Sequence, residues 1–237
     1  GIQMLSVSAS FSSVSVSHPA RSTSTVTSPK EVKLLAVAEP SRTPSDDITK
    51  AFDNLRGERY AVVLAGFSGL GYEHPAAVRQ KITELLNEAI KNHKEGVALV
   101  IGGTTDGIGM GYAVAKDDPH FSDVKLIGLV SEVVKEQCPH SLAKECGDNI
   151  IFVPDPDNTW EVLNQEGTHS YTAYAAEKHG EFNILGGGAV AQKEVECAKN
   201  QGVSPMLFQF APDPEQLQKK LEQGKTRETL MPLDAFF

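Results

Sequence analysis

Short apolar runs alternate with amphipathic stretches along this chain from Tyr60 onward. Residues 60–65 (YAVVLA) form a continuous apolar run, the pattern of a strand covered on both faces. Residues 75–93 then space Val78, Ile82, Leu85, Leu86 and Ile90 as a helix does, with Pro75 where a first turn tolerates it. Residues 97–101 (VALVI) predict the next strand, and residues 107–116 a helix that opens from glycines. Further strands are predicted over 124–129, 149–153, 182–185 and 204–208. Helices are predicted over 167–179, 189–200 and 213–223.

This alternation predicts an α/β fold, a doubly wound and mainly parallel sheet of about six to seven strands, because parallel strands need crossover connections. A single Rossmann-like domain is expected over residues 49–237. Residues 1–48 read as a Ser/Thr-rich extension and linker, the linker marked by Pro40 and Pro44. Residues 1–30 hold ten serines and no acidic residue, a composition that fits a transit peptide, a secretion leader or a flexible tail. Within them Leu5, Val7, Ala9 and Phe11 alternate with serine at strand period, and Gly1, Ile2 and Gln3 before Met4 resemble a tag remnant. The apolar end, residues 231–237, is expected to cover the body or a second subunit.

Composition narrows the function. Lys plus Arg is 22 against 31 for Asp plus Glu, a net charge of -9, which argues against a nucleic-acid partner. No apolar run reaches the roughly 18 residues that span a bilayer, so no membrane partner is expected. Cys138, Cys146 and Cys197 form neither a disulfide framework nor a zinc motif, which points to reduced thiols and a cytoplasmic chain. The serine-rich leader gives the alternative, an organelle-targeted or secreted interaction protein. His74 and His120 lack a partner at ligand spacing, so no metal is assigned, and no cofactor is called for.

Eleven of the 20 glycines fall in three stretches: 66–71, 102–111 and 186–188. Each follows a predicted strand and precedes a helix. In an open parallel sheet that is the ligand edge, where glycine lets backbone amides approach an anion at a helix start. Three such junctions point to a nucleotide-like ligand; the bland reading is ordinary strand-to-helix turns. The first junction lacks the Gly-x-Gly-x-x-Gly spacing, and no acidic residue ends the second strand, so a nicotinamide dehydrogenase is disfavoured. No Gly-x-x-x-x-Gly-Lys-Ser/Thr loop is present either.

The second junction (LVIGGTTDGIGMG, 99–111) and the third (NILGGGAVAQKE, 183–194) together resemble the SLOG superfamily. That Rossmann-like group includes LOG-type phosphoribohydrolases, once labelled lysine decarboxylases, molybdenum-cofactor carriers and nucleotide-sensing domains. Gly102, Gly103, Gly107, Met110 and Gly111 fit its first motif, and Gly187, Gly188 and Glu194 its second. Val190 and Ala191 stand where the family has Gly and Thr, and residues 154–180 contain no arginine to work beside the glutamate. The resemblance implies a homodimer that binds a nucleotide or nucleotide-derived small molecule. Gly66, Ser68 and Gly69 would contact one end of it. Gly103, Thr104, Thr105 and Gly107 would meet base or sugar, and Gly187, Gly188, Ala189 and Val190 the phosphate. The alternative is phosphoribohydrolase turnover at the N-glycosidic bond of a nucleoside 5'-monophosphate, with Glu194 as the acid-base group and His169 in place of the arginine. Thr104, Thr105 and Asp106 also read as turn formers, Glu194 as an exposed helix residue, and His169 as a satisfied surface histidine. Trp160, the single tryptophan, reads either as a stacking face for a base or as a core anchor or a cover for its loop.

Overall fold

A computed structural model describes residues 32–34 and 40–237. The readings of the serine-rich leader, its alternating apolar residues and the segment before Met4 lie outside the described residues. Seven strands form one sheet in the order β1-β7-β6-β2-β3-β4-β5. They are β1 (Val32–Leu34), β2 (Tyr60–Gly66), β3 (Val97–Ile101), β4 (Lys125–Ser131), β5 (Ile150–Val153), β6 (Gly180–Leu185) and β7 (Met206–Phe208). All neighbours pair in parallel except β1, which runs antiparallel to β7. The expected doubly wound α/β fold is therefore present.

Side-chain alternation along the strands makes two cores. On one face Val62, Leu64, Leu99 and Ile101 meet Val78, Ile82 and Leu86 of helix α2 (Pro75–Asn92) and Tyr112 of α3 (Met110–Asp117). On the other, Ala61, Val63, Val100 and Ile127 meet Phe52 of α1 (Asp47–Arg56). Tyr174 of α5 (Tyr171–Tyr174) and Val195 and Ala198 of α6 (Ala189–Gln201) complete that second core. Both faces of β2 and β3 are thus dry, which explains their unbroken apolar sequences. The short α4 (Val134–Gln137) lies between β4 and β5, and α7 (Pro214–Glu222) and α8 (Arg227–Leu230) follow β7. Leu233 of the apolar end is buried, and Phe236 and Phe237 rest on the second core.

Three expectations are corrected. The helix expected over 167–179 is only α5, because the Asn164 side chain accepts from the amides of Thr168 and His169 and holds the preceding chain in a loop. Helix α1 was not expected. Its start is a capping box in which Asp46 accepts from the Thr49 amide and Thr49 accepts from the Asp46 amide. The described residues of the expected linker, from residue 40 on, form a bonded strap. Thr43 donates to Glu177 at 2.8 Å and accepts from Gln201 at 2.9 Å. Among the described residues no helix is long and apolar enough to cross a membrane.

The order of the strands fixes where a ligand can enter. From β2 the chain steps outward through β3 and β4 to β5, then returns to β6 on the other side of β2. The connections beyond β2 and β6 diverge to opposite sides, and a crevice opens at their carboxyl ends.

Candidate functional site

The crevice floor is built by one tyrosine. The Tyr72 hydroxyl accepts from the Phe67 amide at 3.0 Å and donates to the Leu185 carbonyl at 2.6 Å, joining the ends of β2 and β6. Gly66 is required beside it, since a Cβ there would fall on the Tyr72 hydroxyl. Tyr112 repeats the device one strand over. Its hydroxyl accepts from the amides of Ile101 and Gly103 and donates to the Ile127 carbonyl at 2.8 Å. The first two glycine loops are stitched together by the Ile108 amide, which donates to the Phe67 carbonyl at 2.7 Å.

Above this floor lies a cleft of about 720 Å³. Gly66, Ser68 and Gly69 line it from the first loop, and Gly102, Thr104, Asp106, Ile108 and Gly109 from the second. Ser131 enters from the end of β4, and Trp160 from the loop after β5. Val190, Ala191 and Glu194 enter from α6, and Lys220 and Lys225 from the C-terminal part.

Glu194 is only 6% exposed. Burial pushes its carboxyl up to about 7; a hydrogen bond from Thr172 opposes the rise and the charge of Glu161 adds to it. A carboxyl in that range exchanges protons near neutral pH. Trp160 is held in an unusual backbone shape. Its φ is 67°, the left-handed region that bulky residues avoid at a cost of about 1–2 kcal/mol. Asp155 enforces it, accepting from the Trp160 amide at 2.8 Å, the Thr159 amide at 3.0 Å and the Ser131 hydroxyl at 2.7 Å. Burial disfavours the Asp155 carboxylate, but the bonds from Ser131, Thr159 and Trp160 outweigh it and hold its carboxyl below the usual range.

The expected site residues divide into two sets. Gly66, Ser68, Gly69, Thr104, Val190 and Glu194 share the cleft. Gly103, Thr105, Gly107, Gly187, Gly188, Ala189 and His169 are not among its lining residues. Gly103 is buried under the second loop with its amide turned to Tyr112. The Thr105 amide donates to the Ser141 carbonyl. Gly107 has φ +54° and packs beneath the first loop, where a Cβ would strike the Phe67 carbonyl. Gly187 and Gly188 lead into α6, and Ala189 is exposed at its first turn. His169, expected in an acid-base role, lies outside the cleft lining. It is 8% exposed, with Nε2 3.0 Å from the Ser41 carbonyl and Nδ1 2.8 Å from the Thr168 hydroxyl, so both ring nitrogens serve the strap and its loop.

Ser131, Lys220 and Lys225 were not foreseen. Ser131 was findable in principle, lying two residues beyond the carboxyl end of the strand predicted over 124–129. Lys220, on a polar helix, and Lys225, beyond its end, carried no signal, because only the sheet order brings that segment to this edge.

Chemically, the cleft offers an indole face, hydroxyls, two cations and the first turn of α6. The first intrahelical bond of α6 is from the Gln192 amide to the Gly188 carbonyl, so the Val190 and Ala191 amides have no acceptor within the helix and suit an anion. No family model, no curated protein and no solved structure matches this chain.

Proposed function

We propose that this chain binds a nucleotide or nucleotide-derived small molecule in the cleft at the carboxyl ends of β2 and β6. The observation that carries the reading is the meeting of Trp160, the first turn of α6 and two lysines in one cleft at the point where the sheet reverses direction. Trp160 supplies a flat face for the base. Thr104 and Asp106 suit ribose hydroxyls. The amides of Val190 and Ala191, with Lys220 and Lys225, suit the phosphate. A net charge of -9 is no obstacle, because helix ends and local cations set the potential inside the cleft.

Calorimetry with AMP, ADP-ribose, NAD and a cyclic nucleotide tests this, with quenching of the single tryptophan as a second signal. Saturable heat and matching quenching are expected from at least one ligand, and adenosine should bind more weakly than its phosphate. Absence of both signals with every ligand at millimolar concentration refutes the reading.

Turnover is favoured by one specific observation, the burial of Glu194 with its carboxyl raised to about 7. In that reading water attacks the N-glycosidic carbon of a nucleoside 5'-monophosphate, the carbon–nitrogen bond breaks with its electron pair leaving on the base, and Glu194 takes the proton from the water and passes it to that base. Release of free base from AMP measures it. A rate unchanged in Glu194→Ala removes this mechanism.

A further inference from the structure

A second cluster of side chains lies at the opposite end of β2, at the amino edge of the sheet. His93 ends α2, Glu95 sits in the turn before β3, and His179 immediately precedes β6. Strand pairing brings them together. The Tyr60 amide donates to the Gly96 carbonyl and the Ala61 amide to the His179 carbonyl, so the chain segments before β3 and β6 flank the start of β2. One carboxylate oxygen, Glu95 Oε2, lies 3.1 Å from His93 Nδ1 and 2.6 Å from His179 Nε2. The three candidate donor atoms all lie within 4.8 Å of one another. Tyr60 fixes the arrangement, with its ring stacked on His93 at 3.6 Å and 7° and edge-on to His179 at 5.1 Å. Its hydroxyl is turned away and donates to Glu181 at 3.0 Å.

We infer that His93, Glu95 and His179 form a site for one divalent transition-metal ion of the zinc class. Two imidazole nitrogens and one carboxylate oxygen are a borderline-soft donor set, which suits zinc, cobalt or nickel and not calcium or magnesium. A tetrahedral shell with bonds of about 2.0–2.1 Å sets its donors about 3.3 Å apart, so side-chain rotations of the present cluster suffice. The ion takes the place of the protons that the two rings now direct at Glu95. Water completes the fourth position, because all three side chains are partly exposed. The site ties α2 to the start of β6 and is independent of the cleft.

The full chain titrated with Zn²⁺ alone, by calorimetry, should bind one equivalent saturably, and Co²⁺ should give the visible bands of a four- or five-coordinate ion. His179→Ala and Glu95→Gln should each weaken that equivalent at least tenfold and abolish the Co²⁺ bands. Circular dichroism confirms that each variant is folded, and either folded variant alone is a sufficient test. No saturable Zn²⁺ binding by the parent chain up to 1 mM (on the order of the weakest specific affinities), or parent-like affinity in either folded variant, overturns the inference.

Discussion

Replacing Glu194 by Gln isolates the cost of burying a carboxylate beneath the cleft. In the folded chain its carboxyl is raised from an ordinary 4.5 to about 7, chiefly by burial. Such a rise corresponds to about 3 kcal/mol disfavouring the charged form. The sign follows from proton counting. Between about pH 4.5 and 7 the folded chain keeps a proton that the unfolded chain has released, so stability falls as pH rises through that window. Below it both states are neutral and the cost is absent; above it the full cost remains. Gln keeps the size and an acceptor for Thr172 but carries no charge. The stability gained by Glu194→Gln should therefore grow by about 3 kcal/mol between pH 4 and pH 8. At about 2–4 °C per kcal/mol for a chain of this size, the difference in Tm should widen by about 6–12 °C. Thermal unfolding of both proteins followed by circular dichroism at several pH values measures it. A difference that stays flat across pH refutes the assignment of a buried, raised carboxyl.

Three further outcomes follow from the cleft. Tyr72→Phe strands the Phe67 amide and the Leu185 carbonyl in a dry place, and urea denaturation should show a loss of about 2–4 kcal/mol. Asp155 is held below the usual carboxylate range, so its contribution is present above its unfolded value of 3.8 and lost as pH falls through the lower folded value. Tryptophan emission should therefore shift to the red in acid, and Asp155→Asn should show that shift already at neutral pH. Trp160→Gly relieves the left-handed backbone yet removes the stacking face, so nucleotide affinity should drop by about 1–3 kcal/mol in calorimetry while the fold is retained.

The sheet was legible in the sequence because burial on both faces leaves β2 and β3 no polar positions, and such runs have few other uses. Helix α1 was hidden for the opposite reason. Its capping box sits in a polar, proline-preceded stretch whose composition matches a linker, and Phe52 is its one fully buried apolar residue, with Ile48, Ala51 and Leu55 only partly buried against the core. At the cleft, glycine marked the turns but not what each turn does. Gly66 makes room for Tyr72 at the cleft floor, whereas Gly107 serves loop-to-loop packing. Lys225 and Gly66 share the cleft only through the strand order, and the sequence separation of 84 between Glu95 and His179 is bridged by the pairing of β2 with β6. No local pattern encodes either.

The pairing of Ala61 with Gly180 also sets a timetable for synthesis. A nascent chain that has emerged through β5 can align β2, β3, β4 and β5, with β2 as a bare outer strand. That strand is apolar along nearly its whole length, the kind of edge that recruits other chains. It stays open until β6 arrives, and the cleft is not complete until Lys225 has also left the ribosome. The cleft is therefore never complete in a growing chain, and the interval before β6 emerges is when the apolar edge of β2 is most exposed to aggregation.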